Sequence, residues 1–181
     1  MPRVRFDRLC VLLLDDNRHM LRLMEEILRA IGIRNVIAVT DAAEAFREMR
    51  IAPVDLAIVD WEMTPLSGPE FVKLVRTAKD SPNVFVPIIM LTAHTQMANV
   101  VEARDTGIND FLAKPVSPKS VLRRIVSVIG RPRPFVRTKS YFGPDRRRRQ
   151  LPFKGPGRRK EDVVADEDGL SQDQVEALLN G

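Results

Sequence analysis

Asp15 and Asp16 stand side by side near the start of the chain; Asp60, Thr92 and Lys114 follow at wide intervals, the last just before Pro115. Three carboxylates gathered in one place repel one another unless a cation lies among them. A hard divalent ion with oxygen ligands, Mg²⁺, suits such a set. A lysine and a hydroxyl beside that ion suit the oxygens of a phosphoryl group. Singly, these residues have plain roles, since aspartates cap helices and threonines end strands. The chemistry exists only if the chain brings them together.

The intervening segments predict that it does. Short apolar runs, LCVLLLDD (9–16), NVIAVT (35–40), VDLAIVD (54–60), VPIIMLT (86–92) and DFLAKP (110–115), alternate with helical patterns. One such pattern, NRHMLRLMEEILRAIG (17–32), places Met20, Leu23, Met24, Ile27 and Leu28 on one face, with Gly32 positioned to stop it. Further helices are expected near 41–50, 68–79, 95–106 and 118–129. Near-continuous apolar strands separated by single helices imply an α/β fold, a five-stranded doubly wound parallel sheet covered on both faces. Ligands of such sheets lie outside the C-terminal strand ends. Asp15 and Asp16 end the first strand, Asp60 the third, Thr92 the fourth and Lys114-Pro115 the fifth, so all five polar positions meet at that edge.

Over residues 7–130 the segments LLLDD, IVDWEMTPLSG, IIMLTA and DFLAKPV resemble the receiver domain of bacterial two-component response regulators, most simply the CheY-like ones. The resemblance implies a flavodoxin-like receiver in which Asp60 accepts a phosphoryl group from a histidine kinase or its phosphotransfer partner. It implies Mg²⁺ held by Asp16, Asp60 and the backbone carbonyl of Glu62, with Asp15 helping through water. Thr92 would hydrogen-bond the phosphoryl group, Lys114 would pair with it, and the Lys114-Pro115 bond would be cis. Phe111 matches the aromatic that moves inward when the threonine is drawn to the phosphate. Such a domain accepts a phosphoryl group and dephosphorylates itself with no separate catalytic domain. Glu62 and His94, two residues beyond Asp60 and Thr92, occupy positions that vary in the family and tune dephosphorylation. Glu62 reads either as a charge hindering an attacking water or as a solvated loop carboxylate, and His94 as an exposed loop residue.

Composition sets the frame. A hydrophobic content of 44% suffices for a packed core, and no apolar run of the length of a membrane span occurs. The apolar stretch before Asp15 is too short for a signal peptide. The single cysteine, Cys10, lies in an apolar run and reads as a small buried hydrophobe, which places the chain in the reducing cytoplasm. The net charge of +5 hides a partition: residues 131–160 carry 12 basic side chains and one acidic, whereas 161–181 carry seven acidic and no basic. The expected organisation is a receiver domain at 1–130, a basic, Pro/Arg-rich flexible tail at 131–169, and a short docking helix at 170–181. No DNA-binding domain follows residue 130.

Within the tail, Tyr141-x-Gly143-Pro144-x-Arg146-Arg147-Arg148 is repeated as Phe153-x-Gly155-Pro156-x-Arg158-Arg159-Lys160. Clustered arginines suit phosphates in RNA or another polyanion. An aromatic and a turn before each group also suit a small ligand with two phosphates and two flat bases, since arginine pairs with guanine and aromatic planes stack on bases. Cyclic di-GMP fits that description, and the tail resembles the arginine-rich tails of CheY-like flagellar regulators that bind it. Tyr141, Arg146, Arg147, Phe153, Arg158 and Arg159 are then the expected contacts. At the end, Ser171 and Gln174 form a capping box, Leu170 can staple to Val175, and Val175, Leu178 and Leu179 make an apolar stripe. This stretch resembles the N-terminal peptide of FliM-type flagellar switch proteins, which binds the face formed by the fourth helix, fifth strand and fifth helix of phosphorylated CheY. It implies docking to a flagellar motor or chemotaxis component, to another CheY-like protein, or back onto its own domain. The expected function is a phosphorylation-switched regulator of chemotaxis or the flagellar motor. The alternative is a receiver-controlled adaptor or RNA-binding protein.

Overall fold

The computed structural model describes residues 5–93, 106–138 and 141–145. A 3-10 turn at Phe6–Arg8 leads into β1 (Cys10–Leu14), followed by α1 (Arg18–Ala30), β2 (Asn35–Val39), α2 (Ala42–Ile51), β3 (Leu56–Asp60), α3 (Gly68–Thr77), β4 (Ile88–Thr92), β5 (Asp110–Ala113) and α4 (Pro118–Gly130). The five strands form one parallel sheet in the order β2-β1-β3-β4-β5. Both of its faces are covered, so β1, β3 and β4 are buried along their full length. Successive strand side chains point to opposite faces. Leu12, Leu14, Ala57, Val59 and Met90 therefore pack with Ala45 and Met49 of α2 and Phe71, Val72 and Val75 of α3. Val11, Leu13, Ile58, Ile89 and Leu91 pack with Leu21, Met24 and Leu28 of α1 and Val121 and Ile125 of α4.

Local signals start and stop the helices. The Asn17 side chain accepts from the His19 and Met20 amides. Asp41 caps α2 through the Ala43 and Glu44 amides, and Ser67 with Glu70 boxes the start of α3. Gly32, at φ +99°, takes the left-handed conformation that ends α1. The apolar face of α1 is corrected in one place: Leu21 is buried and Leu23 is 43% exposed. With Met24 and Leu28 at the centre of the stripe, the residue three back joins it and the adjacent one turns away. β5 ends at Ala113 rather than at Pro115. The helix expected at 95–106, apart from Thr106, together with His94 and everything from 146 onward, including the expected helix at 170–181, lies outside the described residues.

The larger correction concerns the boundary at residue 130. Residues 131–145 were expected to begin a flexible tail, yet β6 (Phe135–Arg137) pairs antiparallel with β7 (Phe142–Pro144). This hairpin lies against the receiver: an added Cβ on Gly143 would come within 2.7 Å of the Gly107 Cα. Too few apolar residues to fold alone is not too few to fold onto a neighbour. Phe135 and Phe142 find their third ring, Phe85, in the sheet domain, with centroids 5.2 and 5.7 Å from it. The Tyr141 side chain is buried and its hydroxyl donates to the Pro144 carbonyl at 2.8 Å. Its expected role as a stacking surface for a ligand is therefore replaced by closure of the hairpin.

Candidate functional site

The parallel register delivers the polar positions to one edge. Asp60, the last residue of β3, lies beside Leu91, and Thr92, the last of β4, lies beside Ala113, one residue before Lys114. The Trp61 amide donates to the Leu91 carbonyl and the Lys114 amide to the Thr92 carbonyl, so both strand ends are held by backbone. Carboxylate oxygens of Asp15, Asp16 and Asp60 lie within 4.8 Å of one another. Lys114 Nζ is 2.7 Å from Asp60 Oδ1 and 3.5 Å from Asp15 Oδ2. The Lys114-Pro115 bond is cis, as the resemblance implied, and so is Thr64-Pro65.

The three aspartates differ in what surrounds them. Asp16 is exposed, and its Oδ2 accepts from the Thr64 amide at 3.2 Å. Asp15 and Asp60 are buried. Burial raises the Asp60 carboxyl above its ordinary pKa; the hydrogen bond from Lys114 opposes this, and the charge of Asp15 adds to it. Asp15 is raised too, chiefly by burial, against the Asn17 amide and the charge of Lys114, which lower it. Desolvation pulls Lys114 down, but its hydrogen bond to Asp60 and the charges of Asp60 and Asp15 outweigh that and hold it above its usual value. Asp15 Oδ2 is buried with no hydrogen-bond partner, only the long ion pair to Lys114. A divalent cation fits this donor set: hard oxygens only, excess negative charge, and a buried carboxylate oxygen with coordination to spare.

Thr92 is buried beside this cluster, and Glu62 is exposed two residues beyond Asp60. Phe111 is half-buried, pairing in register with Met90, and Arg124 lies 5.7 Å from its ring centroid. Arg124 Nη1 also donates to Asp110 at 3.0 Å, tying α4 to the start of β5. The remaining expected contacts, Arg146, Arg147, Phe153, Arg158, Arg159, Leu170, Val175, Leu178 and Leu179, lie outside the described residues.

Two residues were not singled out from the sequence. Gly68 begins α3 so close to β3 that a Cβ there would meet the Asp60 carbonyl oxygen at 2.1 Å. Its amide donates to the Trp61 carbonyl. Arg76 is the other: 3% exposed, it lies one turn beyond Val72 in the apolar stripe of α3. A charged residue where the stripe calls for an apolar one was the available signal.

Three carboxylates, a lysine and a hydroxyl at the C-terminal edge of a doubly wound sheet suit a divalent cation and a phosphoryl group. Residues 11–126 match the response regulator receiver domain family, and the chain belongs to it. Among its relatives, the chemotaxis protein CheY1 of Helicobacter pylori is 31% identical over 121 residues, covering 66% of this chain and 96% of that protein. The chemotaxis protein CheY of Pseudomonas aeruginosa is 26% identical, with 67% and 96% covered. The crystal structure of CheY4 of Vibrio cholerae superposes with a TM-score of 0.61 at 32% identity, covering 66% of this chain and 98% of that one. The receiver domain of a Pseudomonas aeruginosa sensor histidine kinase, solved with magnesium coordinated in its active-site cleft, gives a TM-score of 0.59 at 31% identity, with 66% and 96% covered. The chain therefore carries a CheY-like receiver domain of two-component signalling, and receivers bind Mg²⁺ at an acidic site. Among the described residues no helix is long and apolar enough to cross a membrane.

Proposed function

We propose that this protein is a phosphorylation-switched response regulator in which Asp60 accepts the phosphoryl group of a phosphohistidine on a histidine kinase or phosphotransfer protein. The observation that carries the reading is the 2.7 Å contact between Asp60 and Lys114 inside the buried carboxylate cluster. An Asp60 oxygen forms the new bond to phosphorus, and the departing imidazole keeps the electron pair of the broken P–N bond. Transfer of this kind depends on positioning and charge neutralisation rather than on a strong nucleophile. Asp16, Asp60 and the Glu62 carbonyl would hold Mg²⁺, with Asp15 helping through water, and the ion would supply part of that neutralisation. Lys114 supplies the rest from the protein, exchanging its contact with Asp60 for one with the phosphoryl oxygens. Thr92 then donates its hydroxyl to the phosphoryl group, and Phe111 follows the threonine inward. Hydrolysis of the acyl phosphate in the same site resets the switch, with Glu62 placed to slow the attacking water.

For the output, the chemotaxis proteins among its relatives support action on chemotaxis or the flagellar motor. The repeated Gly-Pro-x-Arg-Arg supports a tail that takes cyclic di-GMP through Arg146, Arg147, Phe153, Arg158 and Arg159. The terminal stripe Leu170, Val175, Leu178 and Leu179 supports docking to a motor component or another CheY-like protein. A second reading, an adaptor whose tail takes RNA or another polyanion, is favoured by one observation: with Tyr141 buried in the hairpin, the first arginine group has lost its expected stacking ring.

Trp61, next to the acceptor and half-buried, reports on the site. Acetyl phosphate with Mg²⁺ is expected to change its fluorescence saturably, and Asp60→Asn to abolish the change. A response equal in Asp60→Asn would reject the assignment.

A further inference from the structure

At the entry edge of the sheet, opposite the carboxylates, the hairpin closes over a buried arginine. The Arg76 guanidinium donates to the carbonyls of Gly107 (3.0 Å), Val84 (2.7 Å) and Val86 (2.8 Å), and at 3.4 Å to Asn109 Oδ1. All four acceptors are neutral. Phe135 of the hairpin lies 5.1 Å above the guanidinium. A buried cation balanced only by dipoles and a ring face is costly unless the enclosure is well fitted. The enclosure is the hairpin: Gly107 (φ +94°) and Gly143 allow backbone to meet backbone, where a Cβ on Gly107 would strike the Phe142 carbonyl at 2.8 Å. Arg133 donates to the Asn109 carbonyl and, at 3.1 Å, to the Asp145 carbonyl. The two ends of the hairpin are closed by the Thr138 amide on Tyr141 O and the Asp145 amide on Pro134 O.

This seat is built from the entrances to the two strands whose exits carry Thr92 and Lys114. Val86 precedes β4, and Asn109 immediately precedes β5, with its side chain also accepting from the Ile88 amide at 3.0 Å. Strands of four or five residues separate the two ends by about 15 Å. Arg76, on α3, reaches both strands at once, and Gly68 presses the other end of α3 against Asp60. Because these contacts bridge α3, the entry to β4 and the entry to β5, a shift of β5 relative to α3 cannot leave all four Arg76 acceptors and the Arg133 contact in place.

We propose that residues 133–138 and 141–145 form a cis-docked strap whose seating on Arg76, Gly107 and Asn109 is thermodynamically linked to the phosphoryl state of Asp60. The strap thereby fixes Asp145, the last residue of the hairpin, against the receiver. This rests on the phosphoacceptor reading above. Linkage is reciprocal: the factor by which an occupied site changes strap docking is the factor by which releasing the strap changes the site's affinity.

The test uses the full chain with beryllofluoride and Mg²⁺ as a phosphoryl mimic. Hydrogen exchange is read at the Thr138 and Asp145 amides, and mimic affinity through Trp61. Saturating mimic is expected to change exchange at both amides about fivefold or more, the lower range of such couplings, and Asp60→Asn to show no change. Gly143→Val, which unseats the strap, and the milder Phe135→Ala should shift mimic affinity by a matching factor. Mimic binding at Asp60 with unaltered exchange, and unaltered affinity in both variants, would overturn the linkage alone. Failure of the mimic to bind the unmodified protein would overturn the phosphoacceptor reading and the linkage with it.

Discussion

Asp15 and Asp60 hold their protons more tightly than ordinary carboxyls because burial disfavours their charged forms. The sign follows for stability. In the metal-free protein the folded state binds these protons more strongly than the unfolded chain, so these two groups add stability as pH falls through their raised values toward the ordinary 3.8. Bound Mg²⁺ reverses the balance, since it requires both carboxylates ionised. The melting temperature should rise on adding Mg²⁺ at neutral pH, and the rise should shrink as pH falls, earlier than ordinary carboxylates would titrate. Thermal melts with and without the ion, repeated for Asp60→Asn, check this; a gain independent of pH, or one retained in full by Asp60→Asn, contradicts it. The residues of this site were legible in the sequence because each stands where an apolar run gives way to polar residues. Gly68 was not, because its reason is a close approach between two chain segments that only the fold creates.

At the scale of elements, the sheet and its helices followed from periodicity: strands buried on both faces read as unbroken apolar runs, and caps mark the helix ends. The hairpin at 135–144 escaped because its three-residue strands carry no period, and its rings complete a cluster begun by Phe85 some 50 residues earlier. Composition alone made it a tail. Arg76 is the residue on which that packing turns. Replacing it with alanine leaves the buried carbonyls of Val86 and Gly107, and the half-buried one of Val84, without this donor, at a cost of about 1–3 kcal/mol for an unsatisfied buried group. Burial holds the Arg76 pKa down to about 9, the Tyr141 hydroxyl opposing, so the group stays charged at neutral pH. Arg76→Ala should lower the urea midpoint accordingly and loosen the strap, while Arg50→Ala, whose ion pair with Asp80 is exposed, should change stability little. Equal effects of the two substitutions would contradict the assigned role.

For the whole molecule, the strap relocates the tail. A chain leaving the receiver at residue 131 would depart from the end of α4, but one seated through Asp145 departs beside Pro134 and Arg133. The charge partition makes the tail's ligand testable in the intact protein. Cyclic di-GMP should bind saturably and with guanine selectivity, and alanine at Arg146 and Arg147 or at Arg158 and Arg159 should cost about 1–3 kcal/mol per lost bidentate contact. A steep log–log salt slope indifferent to base would instead assign the tail to polyanions. All of these outputs depend on one chemical event at the opposite edge. The most direct measurement is to treat the full chain with a radiolabelled small phosphodonor and Mg²⁺, then map the label by peptide mass. The account predicts one phosphoryl group, on Asp60, lost on chelating the ion and absent from Asp60→Asn. Label on any other residue, or labelling undiminished in Asp60→Asn, would contradict it.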